Sequence, residues 1–149
     1  MEIEKKFLIN SLPFSLKDFK CHDITQAYLC TNPVVRVRKD NEDYILTYKG
    51  KGHMIREEYN LPLNSEAFFH LLKKADGNII TKKRYEIPIE NNLTVELDIF
   101  EGKFAGLVLA EVEFETEEDA LNFIPPSWFA KEVTTDKEYH NSTMSRKVF

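Results

Sequence analysis

Apolar and polar positions alternate with a period of two along most of this chain, the pattern of strands that bury one face. In the opening stretch, residues 1–9, Ile3 and Phe7 fall on one side while Glu2, Glu4 and Lys6 fall on the other. The alternation returns in residues 25–30, where Gln26 and Tyr28 share a face, and in residues 34–38, where Val35 and Val37 alternate with Arg36 and Arg38. Residues 39–43 read as the turn of a hairpin whose second arm, residues 44–49, carries Thr47 and Lys49 on one face. Residues 55–61 set Arg56, Glu58 and Asn60 against Ile55, Glu57 and Tyr59, which leaves the facing of that strand open. Farther on, Lys82, Arg84 and Glu86 oppose Tyr85 and Ile87, Glu96 and Asp98 oppose Val95 and Leu97, and Glu111 and Glu113 oppose Ala110 and Val112.

Elsewhere the period changes. Phe68, Leu71, Leu72 and Ala75 recur at three- and four-residue spacing and predict a helix over 65–75, capped by Asn64 or Ser65 and stopped by Asp76-Gly77-Asn78. Thr116 and Asp119 have the form of a capping box for a short helix that must end at Pro125-Pro126. One or two helical turns are expected around Leu16 and Phe19 as a cover for one end of the sheet, and a last turn is expected within 139–146. Eight strand-like segments and few helices place the chain in the α+β class, mainly β, with antiparallel pairing.

A length of 149 residues, 42% hydrophobic and 30% charged, fits a single globular domain spanning 1–149. No apolar run approaches membrane-spanning length and no signal-peptide pattern opens the chain, so a cytoplasmic protein with no membrane partner is expected. Cys21 and Cys30 lack redox or zinc spacing. A net charge of −5 argues against a nucleic-acid partner, although a local cationic pocket remains compatible with it. The oligomeric state is left open between monomer and homodimer.

The polar strand faces decide more. Burying so many ions in a dry core would cost several kcal/mol each, so they must meet water or a charged ligand. An open sheet with one solvated face is the common solution. Here, however, Arg and Lys gather on some strands and carboxylates on others. Closing the sheet into an eight-stranded barrel would set a cationic wall against an acidic one and remove the sheet edges. Guanidinium and ammonium groups grip phosphate oxygens, and carboxylates hold Mg²⁺ or Mn²⁺ against the same phosphates. A polyphosphate with its metals uses both walls; a sulfated sugar or polycarboxylate uses mainly one.

The motifs Glu2-x-Glu4-x-Lys6, Gln26-x-Tyr28-Leu29, Arg36-x-Arg38, Leu46-Thr47-x-Lys49-Gly50, Lys82-x-Arg84-Tyr85, Glu96-x-Asp98-x-Phe100-x-Gly102, Glu111-x-Glu113 and Glu132-Val133-Thr134 with Tyr139 and Asn141 resemble, in order and from end to end, those of the CYTH superfamily, the triphosphate tunnel metalloenzymes. The likeness is greatest to its short, single-domain bacterial members. The resemblance implies an eight-stranded tunnel in which Lys6, Arg36, Arg38, Lys49, Arg56, Lys82 and Arg84 hold the triphosphate. It implies that Glu2, Glu4, Asp98, Glu111 and Glu113 hold Mg²⁺ or Mn²⁺, with Glu58 and Glu96 as further candidates. Tyr28 and Lys49 take the catalytic positions, Tyr28 by helping to activate water. Asn60 departs from the pattern, where many relatives carry another acidic residue.

The expected activity is metal-dependent hydrolysis of inorganic triphosphate or a nucleoside triphosphate at the terminal phosphate. Two alternatives use the same tunnel: an adenylyl cyclase of the class IV type, and a noncatalytic polyphosphate- or nucleotide-binding module.

Overall fold

In the computed structural model, which describes residues 2–52 and 54–149, the alternating segments pair into one antiparallel sheet of nine strands. Met1 of the opening stretch and His53 lie outside the described residues. The strands are β1 (Glu2–Leu8), β2 (Lys20–Thr31), β3 (Val34–Asp40), β4 (Asp43–Lys49), β5 (Ile55–Arg56), β6 (Glu58–Leu63), β7 (Ile80–Pro88), β8 (Thr94–Phe100) and β9 (Val108–Glu113). Their order is β5-β1-β9-β8-β7-β2-β3-β4-β6.

The two ends of this order, β5 and β6, are consecutive in the chain with only Glu57 between them. The barrel is therefore closed by the covalent backbone. β5 pairs with β1 through Glu2–Arg56, and β6 pairs with β4 through Lys49–Glu58. The segment expected as one strand over 55–61 is thus two strands, and the expected count of eight becomes nine. A strand bent at one residue can serve both neighbours where a straight strand could not.

Two further expectations are corrected. The strand expected over 25–30 runs from Lys20 to Thr31, because Lys20–Asp23 finds partners on β7 that outweigh the weak strand preference of its polar residues. Residues 12–19 form bends and turns with no helix. Their Phe14 and Phe19 rings pack on each other, and Phe14 packs on Trp128, so the segment covers the outer barrel face. That apolar contact holds the chain without helical hydrogen bonds.

Three short helices complete the fold: α1 (Ser65–Leu72), α2 (Glu117–Leu121) and α3 (Asn141–Met144). Asn64 caps α1 by accepting from the Ala67 N–H at 2.7 Å, and Phe68 buries that helix against Ala27 and Val37. Thr116 caps α2 by accepting from the Asp119 N–H at 3.1 Å.

Inside the barrel the chemistry changes along each strand. Ile80 follows the Lys82–Arg84 face of β7, Phe100 the Glu96–Asp98 face of β8, and Leu109 the Glu111–Glu113 face of β9. These three join Phe104, Val133 and Met144 in an apolar cluster. The chain after α2 reaches it by bonding along β1, with Leu8 N–H donating to Lys131 O and Val133 N–H to Lys6 O, each at 2.8 Å.

Candidate active site

Above that apolar layer the barrel holds a cavity of about 310 Å³. Glu2, Glu4, Lys6, Tyr28, Arg36, Arg38 and Lys49 line it, and so do Arg56, Glu58, Arg84, Glu96, Glu111 and Glu113. Arg56, Glu58 and Asn60 all face inward, which resolves the facing of β5 and β6. Lys82 and Asp98 do not line the cavity, although both belong to the expected site. They are fully buried beneath it.

Asp98 is saturated. It accepts from Lys82 Nζ at 2.6 Å, from Arg84 Nε at 2.7 Å and from Arg84 Nη2 at 2.8 Å. Burial would raise its carboxyl, but the Arg84 guanidinium and Lys82 ammonium hold it below the ordinary aspartate range. Arg84 Nη1 also donates to Glu96 at 3.0 Å. The partners of this cluster are all internal, and Asp98 lies outside the cavity lining.

Lys6 and Lys49 are paired more loosely. Lys49 Nζ lies 3.1 Å from Glu2, while Lys6 Nζ lies 3.5 Å from Glu111 and donates to Tyr139 O at 3.0 Å. Burial would raise Glu111, yet Lys6 and Arg84 hold it well below the usual glutamate range.

Arg36 and Arg38 differ from all of these. Among the described residues neither forms an ion pair: Arg36 Nη2 donates to Thr47 Oγ1 at 3.1 Å and Arg38 Nε to Gln26 Oε1 at 2.8 Å. Arg36 Nε is buried with no partner. Desolvation, then the neighbouring Arg36 and Arg84, push the Arg38 guanidinium down to about 9. This wall lacks an anion.

The opposite deficiency appears on β1 and β9. Desolvation and the nearby Glu111 raise Glu4 to about 8, and desolvation with Glu2 and Glu96 raises Glu113. Burial raises Glu2 against the pull of Lys49, while its neighbour Glu58 is lowered, against its own desolvation, by Glu2, Lys49 and Arg36. Among the described residues Glu4 and Glu113 form no ion pair, whereas Glu2 is held by Lys49.

Thr134 and Asn141, named by the resemblance and not by strand alternation, also line the cavity, as do His140 and Ser142, which neither signal revealed. They lie outside the sheet, where a period of two carries no information. Thr134 accepts from the Lys6 N–H at 3.1 Å and so ties this segment to β1.

The CYTH domain description matches residues 1–146. An inorganic triphosphatase of Nitrosomonas europaea is 36% identical over 152 residues, covering 99% of this chain and 98% of that protein. An inorganic triphosphatase of Acetivibrio thermocellus is 34% identical over 154 residues, covering 99% and 95%. A crystal structure of an inorganic triphosphatase superposes with a TM-score of 0.74 at 33% identity, covering 99% of this chain and 96% of that one.

Proposed function

The chain belongs to the CYTH domain family, and on that footing we propose that it is a divalent-metal-dependent triphosphatase releasing the terminal phosphate of a linear triphosphate. One observation carries the reading: a single cavity sets guanidinium groups short of an anion against carboxylates short of a cation. A triphosphate with its counter-cation supplies both at once.

The residues divide the work. Arg36 and Arg38 meet phosphate oxygens with guanidinium donors, and Lys6, Lys49 and Arg56 add positive charge around the chain of phosphates. Fixed in place before substrate arrives, these groups stabilise charge that develops on the leaving diphosphate without reorganising. Tyr28, buried and on the cavity wall within electrostatic reach of Lys6 and Arg38, orients the attacking water. Lys82 and Asp98 support Arg84 from below.

Glu2, Glu4 and Glu113, with Glu58, Glu96 and Glu111 beside them, offer the hard oxygen donors that suit Mg²⁺ or Mn²⁺. Among the described residues no three such side chains are already gathered around one point. The raised Glu2, Glu4 and Glu113 fit a cation in this place. When bound, it neutralises phosphate oxygens and lowers the cost of transferring the phosphoryl group.

Apart from Val34 and Tyr28 the lining is polar or charged throughout, which favours inorganic triphosphate over a nucleotide with its apolar base. The test is phosphate release from inorganic triphosphate and from ATP with Mg²⁺ or Mn²⁺, with products identified. Diphosphate and phosphate from inorganic triphosphate are expected. Cyclic AMP from ATP would move the reading to a cyclase, and metal-independent binding without turnover would move it to a binding module.

A further inference from the structure

Among the described residues the hydrogen bonds of Arg36 and Arg38 go to neutral acceptors, and those acceptors form an ordered chain. Thr47 is the cross-strand partner of Arg36, and Asn60 is the partner of Thr47. The hydrogen bonds follow this ladder: Arg36 Nη2 donates to Thr47 Oγ1 at 3.1 Å, and the Thr47 hydroxyl donates to Asn60 Oδ1 at 2.6 Å. A hydroxyl has one proton. With that proton committed to Asn60, Thr47 Oγ1 can only accept, and it accepts from Arg36.

Gln26 does the same for Arg38. It is the cross-strand partner of Arg38, is fully buried, and accepts from Arg38 Nε at 2.8 Å. Its Nε2 is buried without a partner. A glutamate here would present no unsatisfied donor, but it would cancel the charge of Arg38.

We propose that Gln26, Thr47 and Asn60 are positioning residues: they orient the two guanidinium groups for phosphate while leaving their charge uncompensated. The proposal rests on the triphosphate reading above. A carboxylate in either place would orient the arginine equally well and compete with the substrate for it.

The experiment titrates inorganic triphosphate into the wild-type protein and its variants by calorimetry, alongside steady-state kinetics. Thr47→Val, which keeps shape and loses the hydroxyl, should raise Kd and KM roughly tenfold with kcat changed by about twofold or less. Thr47→Ser should restore both. Gln26→Glu should raise Kd and KM by about tenfold or more, with no loss of melting temperature. A purely structural role predicts the reverse, a lowered melting temperature with unchanged Kd. If the wild type binds triphosphate and Gln26→Glu binds it equally well, the proposal is overturned, even where Thr47→Val does not fold. If the wild type itself fails to bind, the functional reading falls instead.

Discussion

Two strands of this barrel carry the same cationic spacing and meet opposite fates. Arg36 and Arg38 on β3 face Thr47 and Ile45 across the ladder to β4, whereas Lys82 and Arg84 on β7 face Phe100 and Asp98 on β8. On β7 the charge is consumed internally, since Asp98 takes three hydrogen bonds from the pair and Glu96 takes a fourth. On β3 a hydroxyl and an amide hold the guanidinium groups without neutralising them. The neighbouring strand therefore decides whether a cation serves as framework or as binding group.

Asp98→Asn tests the framework side and should have the largest effect. It leaves buried Lys82 and Arg84 without their carboxylate and should cost about 3–5 kcal/mol of stability, read from the shift in urea midpoint. Arg38→Ala tests the other side. It should weaken triphosphate binding by about 10- to 100-fold, the loss of a charge-assisted hydrogen bond, while stability stays level or rises. Equal stability losses in the two variants would erase the distinction between the walls.

Glu4→Gln sharpens the comparison from the acidic side. Because Glu4 is raised to about 8 by desolvation and Glu111, a neutral isostere should not lower the melting temperature at neutral pH without divalent cation. It should nevertheless raise the cation concentration needed for half-maximal phosphate release by about tenfold.

The smallest effect concerns His22, which ties the two walls together across β2. Its Nδ1 meets Asp40 of β3 at 2.7 Å and its Nε2 meets Glu86 of β7 at 2.6 Å. Both partners are acceptors, so the bonded imidazole is the doubly protonated form. The Glu86 bond is the main cause that raises His22 above 6.5. A raised folded-state value gives stability that is complete below the unfolded value and lost as pH rises through the folded one. His22→Gln should lower the melting temperature by about 2 °C or less at pH 6, and the deficit should shrink as pH rises above 7. A pH-independent deficit would assign the loss to packing.

Alternation along the chain was enough to place Glu2, Glu4, Arg36, Arg38, Glu111 and Glu113 on one inner face, because a strand's side-chain direction is a local property of its backbone. It also signalled the caps at Asn64 and Thr116, which act within one turn. Depth was not legible. Lys82 and Asp98 share the inner face with Arg84 and Glu96, but their level below the cavity follows from how nine staggered strands fit together. Nor could alternation supply Thr134 and His140–Ser142, which lie outside the strands, Asn141 and Ser142 opening α3.

The sequence by itself determined which residues point inward and which charges they bring, since both depend on neighbours along the chain. Only the tertiary structure decided which of those charges are spent on one another and which remain for a ligand. That depends on cross-strand partners distant in sequence, and at these separations a carboxylate or a hydroxyl beside the same guanidinium gives opposite outcomes.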